Sequence, residues 1–227
     1  NPDKPAIIMG GSGETITYAQ LDRRANQMAQ LVRSKGIGVG ETIAVCMENH
    51  PWYFGVTWGA QRAGLHYVCI SSRLTAPEIA YILEDSGARL LIGSAYLAPV
   101  LDEVAKLTPG IEQLRFDTPG AQSAEAALAA QPETPIADQR AGVDMLYSSG
   151  TTGKPKGVKI PLPEDPDIAQ MNSLVGLANM AFGIQSDAVY LSPAPLYHAA
   201  PLRWSMTVHK LGGTVVVMER FEPEAAL

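Results

Sequence analysis

Residues 147–158 have the composition of a phosphate-binding loop. They read YSSGTTGKPKGV, so hydroxyl side chains lie among glycines and lysines, and no acid interrupts them. Glycines let the backbone turn tightly and direct several N–H groups at one ligand, while hydroxyls add donors and lysines add positive charge. This chemistry suits a polyphosphate. The candidate phosphate-binding residues are Ser148, Ser149, Gly150, Thr151, Thr152, Gly153, Lys154, Lys156 and Gly157.

The stretch differs from the general phosphate-loop pattern GxxxxGK[ST], because Pro155 follows Gly153 and Lys154 where Ser or Thr is required. Pro155 and Gly157 also disfavour a helix interior, and residues 158–160 have an extended pattern. We therefore expect a loop between two strands rather than a strand–loop–helix cradle. A flexible Gly/Ser/Thr linker is the alternative, but linkers rarely carry lysines after an apolar strand.

A second candidate lies in residues 191–202, LSPAPLYHAAPL, where Tyr197 and His198 stand between prolines. Prolines restrict the chain that enters a helix and so fix the directions of nearby side chains. A lone histidine is more often structural than functional. The remaining histidines have no partner at metal-ligand spacing, so we predict no metal site at His50, His66 or His209. No GxSxG motif supports hydrolase chemistry.

Strands and helices alternate on both sides of the loop. Thr17 with Gln20, and Thr75 with Glu78, form capping boxes that predict two helix starts. The predicted strands are residues 6–9 and 14–17 (a hairpin), 42–47, 65–70, 89–92, 143–147, 188–191 and 214–218, and the last predicted helices span 168–182 and the residues around 202–208. This alternation predicts an α/β fold with a mainly parallel sheet, or sheets, covered by helices.

The composition is that of an ordinary globular domain. The chain has 227 residues, of which 46% are hydrophobic and 18% charged, and its net charge of −6 argues against a general nucleic-acid-binding surface. Cys46 and Cys69 lie in apolar segments, which favours core cysteines in a reducing compartment. No apolar run approaches the ~20 residues that span a bilayer. We predict a cytoplasmic protein without a transmembrane segment, and leave peripheral membrane contact open.

The loop motif closely resembles the phosphate loop of the adenylate-forming superfamily, which includes acyl-CoA synthetases, luciferases and peptide-synthetase adenylation domains. ITYAQLDRRANQMAQ and AGLHYVCISSRLTAPEIAYILEDSGARLLI also resemble early segments of acyl-CoA synthetases. The resemblance covers essentially the whole chain but less than half of a typical member. It implies a partial N-terminal domain: 1–117 as a first βα half, 118–142 as a connection, and 143–227 as the phosphate-loop and acyl-pocket segment. Residues 161–166, PLPEDP, depart from the family pattern, so contacts expected there are not transferred.

The resemblance implies ATP-dependent activation of a carboxylic acid, with fatty acids favoured. ATP with Mg²⁺ would give an acyl-adenylate, and coenzyme A would then take the acyl group. In this interpretation the loop holds the β and γ phosphates, and His198 is the catalytic residue that orients the carboxylate or adenylate. Tyr197 and Trp204 would line an acyl channel, although plain core packing is an alternative for Trp204.

Two other interpretations stay open: a stand-alone acyl-AMP ligase or adenylation domain, and a non-catalytic nucleotide-binding module. Both ends of the sequence look cut, and several parts of the family site would follow Leu227. We therefore expect the 227-residue chain alone to have little or no adenylation activity. We also expect a fragment with uncovered surface to form homo-oligomers or to contain poorly ordered segments.

Overall fold

In the computed structural model, which describes residues 1–148, 155–224 and 226, ten strands form two sheets. The strands are β1 (Pro5–Met9), β2 (Thr15–Thr17), β3 (Thr42–Cys46), β4 (His66–Cys69), β5 (Ala88–Ser94), β6 (Glu112–Phe116), β7 (Val143–Ser148), β8 (Lys156–Val158), β9 (Val189–Ser192) and β10 (Thr214–Val217). One sheet has the order β2-β1-β10-β9, and the other has the order β6-β5-β3-β4-β7-β8.

Seven α-helices connect or cover these strands in the described part of the chain. They are α1 (Tyr18–Ser34), α2 (Tyr53–Arg62), α3 (Ala76–Ser86), α4 (Ala98–Leu107), α5 (Ala124–Ala129), α6 (Ser173–Phe182) and α7 (Ala199–Lys210). A short 3₁₀ turn, Ala95–Leu97, precedes α4. Thus β-strands and helices alternate along most of the chain.

Both capping boxes are confirmed. At the start of α1, the Thr17 hydroxyl accepts from the Gln20 N–H at 3.2 Å and the Gln20 side chain accepts from the Thr17 N–H at 2.7 Å. The Glu78 carboxylate accepts from the Thr75 N–H at 2.8 Å at the start of α3. Such reciprocal bonds satisfy backbone donors that the first helical turn leaves free.

The fold prediction is confirmed, because the sheets are mainly parallel and helices flank them. Among the described strand pairs, β1–β2 and β7–β8 are antiparallel and the others are parallel. The carboxyl ends of parallel strands lie on the same edge of a sheet. In the six-stranded sheet, β3 to β7 therefore all end on one edge.

Each of the two sheets contains strands from both the first and the last of the segments proposed from the sequence. β1 and β2 come from the first segment, but they share a sheet with β9 and β10 near the other end of the chain. Conversely, β7 and β8 extend the sheet that is built from the first segment. One hydrophobic core lies around α1, α2 and α7, and a second lies under α3 and α4.

Strand β6 was not predicted. Its sequence, EQLRF, carries charged side chains that hide the apolar pattern, yet Arg115 is only 3% exposed. The guanidinium of Arg115 donates to the Asp102 carboxylate on α4 at 2.7 Å, and this ion pair accompanies the buried charge. A strand that buries a paired arginine does not have the alternation that sequence patterns detect.

The predicted start of the helix at residue 168 was wrong, since α6 begins at Ser173. The Asn172 carboxamide caps α6 by accepting from the Val175 N–H at 3.0 Å. Before it, the Asp165 and Asp167 carboxylates each accept from a backbone N–H two residues later, both at 2.9 Å. These local bonds hold the backbone in turns and compete with the helix.

Candidate functional site

One cleft of about 810 Å³ lies where the carboxyl ends of parallel strands from both sheets come together. From the six-stranded sheet, residues that follow β3, β4, β5 and β6 line it, and residues after β9 and β10 complete it. Its lining includes Glu48, Asn49, His50, Arg73, Tyr96, Asp117, Tyr197, Met218 and Arg220. Open α/β sheets bind ligands outside the carboxyl ends of their strands. We therefore take this strand-end cleft as the candidate site.

Tyr197 and His198 lie together at the start of α7. Tyr197 is half-buried and lines the strand-end cleft, and its ring centroid is 4.4 Å from that of His198. His198 is exposed and is the N-cap residue of α7, with its carbonyl accepting from the Leu202 N–H at 3.2 Å. The positive end of the helix dipole therefore lies beside both side chains, where an anion is favoured.

Trp204 lies apart from this pair, within α7. Its ring meets that of Phe182 on α6 edge-on, with a centroid distance of 5.5 Å, and it packs partly buried against the main core. This placement brings Trp204 into the contact between α6 and α7. The proposed role of Trp204 in an acyl channel stays a prediction.

Asn49 was not among the predicted site residues, but it hydrogen-bonds the backbone of the segment that carries Tyr197. Its carboxamide oxygen accepts from the Leu196 N–H at 2.8 Å. Its carboxamide nitrogen donates to the Ala194 carbonyl at 3.2 Å and to the Met218 carbonyl at 2.7 Å. The available signal was a carboxamide three residues after a fully buried strand, at the edge where ligands bind.

The phosphate-binding candidates from Ser149 to Lys154 lie outside the described residues. The strands on either side are described: β7 and β8 are antiparallel, with Tyr147 paired to Gly157 and Ser148 paired to Lys156. The predicted strands on both sides of the motif are therefore confirmed. Because β7 runs parallel to β4, it ends at the same sheet edge as the strand-end cleft.

The β7–β8 pair is packed around one aromatic ring. The Tyr147 hydroxyl donates to the Asp85 carboxylate at 2.6 Å, which connects β7 to the end of α3. Burial, with a further contribution from Asp85, raises the pKa of Tyr147. A Cβ on Gly157 would lie 2.8 Å from Cζ of Tyr147 and 2.6 Å from Cε of Met145. Gly157 is thus required by the packing of this ring, in addition to any role toward phosphate.

Comparison with known proteins identifies the family. The family model described as "AMP-binding enzyme" matches residues 1–227. The chain belongs to the AMP-binding enzyme family. It is 30% identical to the fatty acid–[acyl-carrier-protein] ligase ScoC of Streptomyces coeruleorubidus and 32% identical to a feruloyl-CoA synthase of an Amycolatopsis species. Each match covers 100% of this chain and 43% of the relative, so the chain spans less than half the length of these relatives.

A solved structure shows the same fold. The inhibitor-bound N-terminal domain of FACL13 from Mycobacterium tuberculosis superposes with a TM-score of 0.80 at 27% identity, over 99% of this chain and 56% of that one. The adenylate-forming resemblance recognised in the loop motif is confirmed by these matches.

In this member of the AMP-binding enzyme family, His50 lines the strand-end cleft. Its Nδ1 accepts from the Trp52 N–H at 3.2 Å, and its Nε2 lies 3.1 Å from the Asp117 carboxylate. Asp117 has φ = 57°, and it is the one non-glycine residue in the described part of the chain with a positive φ. Through the contact between its Nε2 and Asp117, His50 joins the segment after β3 to the segment after β6.

His209 occupies a second, internal network. Its Nδ1 accepts from the Trp58 indole N–H at 3.3 Å and its Nε2 donates to the Ala6 carbonyl at 3.2 Å, which requires a neutral ring. Burial lowers the pKa of His209 to about 4. Burial also raises the pKa of the Cys46 and Cys69 thiols to about 12, so both are protonated at neutral pH and unsuited to nucleophilic attack.

Two features are absent from residues 1–148, 155–224 and 226. None of their helices is both long enough and apolar enough to cross a membrane. Within the same ranges, no three His, Cys, Asp or Glu side chains are grouped so that they could hold a metal ion.

Proposed function

We propose that the protein carrying this chain activates a carboxylic acid with ATP and transfers the acyl group to a thiol. The membership of residues 1–227 in the AMP-binding enzyme family carries this proposal. Both relatives reported above are named for joining an acid to a thiol carrier, a fatty acid in one case and ferulic acid in the other. We favour a fatty acid as substrate and the cytoplasm as location.

The proposed reaction has two steps. A carboxylate oxygen attacks the α-phosphorus of ATP, and the bond to the bridging oxygen breaks, which releases pyrophosphate and leaves an acyl-adenylate. A thiol sulfur then attacks the acyl carbon, its proton passes to solvent, and AMP leaves with the electron pair of the carbon–oxygen bond. We propose coenzyme A as the thiol, with an acyl carrier protein as the competing acceptor because ScoC is named for one.

The main task of the protein is to bring two anions together and to offset their charge. We assign this task to the loop hydroxyls and amides with Lys154 and Lys156, which would hold the β and γ phosphates. Lys156 is exposed at the start of β8, next to the end of β7. ATP enters as its Mg²⁺ complex, so the substrate brings the ion that neutralises the remaining charge.

The carboxylic acid is the other reactant, and its carboxylate would approach the start of α7. His198 is exposed there, so it can donate a hydrogen bond to an anion, and the helix dipole favours the same charge. Tyr197 would contact the acid from the strand-end cleft, which its ring lines.

The test uses the complete protein with a panel of fatty and aromatic acids and Mg·ATP. We expect acid-dependent exchange of pyrophosphate into ATP, and AMP release that requires coenzyme A. Exchange without coenzyme A-dependent AMP release would support the adenylation step and indicate another acceptor, to be tested with acyl carrier protein. Absence of exchange with every acid would refute the proposal. The 227-residue chain alone should show little or no exchange.

A matched pair of lysine variants tests the phosphate assignment. Lys154→Ala should raise the KM for ATP about 10- to 100-fold, because a charged contact to phosphate is lost. Lys159→Ala is the control, since the Lys159 ammonium lies 3.4 Å from the Thr42 hydroxyl, on the six-stranded sheet. Equal effects of the two variants on the KM for ATP would contradict the assignment.

A further inference from the structure

The segment between β9 and α7 has few backbone hydrogen bonds of its own. Pro193 and Pro195 have no N–H group, so this segment cannot join a regular ladder. The Leu196 N–H is buried and donates to the Asn49 side chain at 2.8 Å, and the His198 N–H donates to the Pro195 carbonyl at 3.2 Å. The Asn49 side chain therefore supplies a hydrogen-bond acceptor for the Leu196 N–H, which has no acceptor in a strand ladder.

Asn49 also joins the two sheets at the edge where the strand-end cleft lies. It follows β3 of the six-stranded sheet, and it donates to the Met218 carbonyl, just after β10 of the other sheet, at 2.7 Å. Only 7% of Asn49 is exposed. A buried carboxamide with three backbone partners has one favourable orientation, so the position of Leu196 is fixed relative to both sheets.

We propose that Asn49 is a positioning residue that sets Tyr197 and His198 against the carboxylic acid. Leu196 directly precedes Tyr197, and its side chain is fully buried, so a shift of the Asn49 contact moves the start of α7. The inference rests on the proposed function, because it assigns the acid to the start of α7. Asn49 itself acts through the backbone of residues 194–196.

Asn26 offers a matched control. It is 2% exposed and also makes three hydrogen bonds: to the Glu133 carbonyl at 2.8 Å, to the Asp22 carboxylate at 3.2 Å and from the Arg62 guanidinium at 2.5 Å. These bonds join α1 to the connection around residue 133 and to α2, away from the strand-end cleft. A purely structural role of Asn49 would make variants at the two positions behave alike.

The experiment compares Asn49→Asp, Asn49→Ala and Asn26→Ala in the complete protein, with thermal denaturation to confirm folding. An aspartate at position 49 keeps the acceptor for the Leu196 N–H but turns an oxygen toward the carbonyls of Ala194 and Met218. We expect kcat/KM for the acid in pyrophosphate exchange to fall about 100-fold for both Asn49 variants, the order of effect of a misplaced reacting group. The KM for ATP should change less than about threefold, because ground-state binding of ATP is retained.

A pH profile tests whether the activity depends on the hydrogen-bond donor of residue 49. Burial raises the pKa of a carboxyl group, and its protonated form recovers one donor. The activity of Asn49→Asp relative to wild type should therefore rise as the pH falls from about 8 to about 6, whereas the relative activities of Asn49→Ala and Asn26→Ala stay flat.

The outcomes distinguish failure of the positioning role from failure of the proposed function. Equal losses of acid kcat/KM in the Asn49 and Asn26 variants, or a flat pH profile for Asn49→Asp, would overturn the positioning role while leaving the function intact. Wild-type protein without acid-dependent exchange would overturn both. If Asn49→Asp does not fold, Asn49→Ser, which keeps one donor and one acceptor, is assayed against the same limits for acid and ATP.

Discussion

We expect Gly157→Ala to disturb the packing of the Tyr147 ring. The added Cβ would lie 2.8 Å from Cζ of Tyr147 and 2.6 Å from Cε of Met145. The methionine end can rotate away, but the ring is held by its hydrogen bond to Asp85 at 2.6 Å. The methyl group must therefore displace the ring, and the end of β7 with it.

The free-energy cost of Gly157→Ala is the sum of three contributions. Overpacking costs about 1–3 kcal/mol. Weakening the tyrosine–aspartate hydrogen bond costs about 1 kcal/mol, since Asp85 is exposed. Replacing glycine in a strand returns about 0.5–1 kcal/mol of backbone entropy. The net loss should be about 1–3 kcal/mol, which would appear in the free energy of unfolding, in ATP binding, or divided between them.

The assay measures urea unfolding and the KM for ATP in the complete protein. Gly110→Ala is the matched control, because a Cβ there would meet nothing within 4 Å. In a Tyr147→Ala background, the added methyl group of Gly157→Ala has no ring to displace, so its cost should fall below about 0.5 kcal/mol. The same cost with and without the ring, or an effect no larger than that of Gly110→Ala, would refute the reasoning.

Three further predictions concern the core. The free energy of unfolding should fall by up to about 3 kcal/mol between pH 6.5 and about 4, because the unfolded chain protonates His209 first, and His209→Gln should remove this component of urea-denaturation curves. Gly59→Ala should destabilise the protein by about 1–3 kcal/mol in the same assay, since its Cβ would lie 2.4 Å from Cβ of Met28; an unchanged midpoint would contradict the packing of α1 on α2. The buried Cys46 thiol should react with a thiol reagent at pH 8 only upon unfolding, and rapid labelling of Cys46 in native protein would show that it is not held protonated.

Most elements could be predicted because their signals are local. Thr17 and Thr75 lie three residues from their capping partners, and the apolar runs of β3 and β5 need no distant information. Predictions failed where side chains compete with the pattern. The buried Arg115, which is paired with an exposed carboxylate, concealed β6, and the turns held by Asp165 and Asp167 move the start of α6 to Ser173.

The phosphate-loop motif and the family were determined by the sequence alone, because a run of glycines, hydroxyls and lysines after an apolar strand has few other uses. Tertiary structure decided which strand ends meet. Asn49 reaches Leu196 across 147 residues of sequence, and the Tyr147 hydroxyl reaches Asp85 across 62. No local pattern encodes these contacts, since they depend on the sheets bringing distant strands to one edge. The sequence therefore predicts which groups bind a phosphate, and the fold decides which buried side chains hold the neighbouring segments in place.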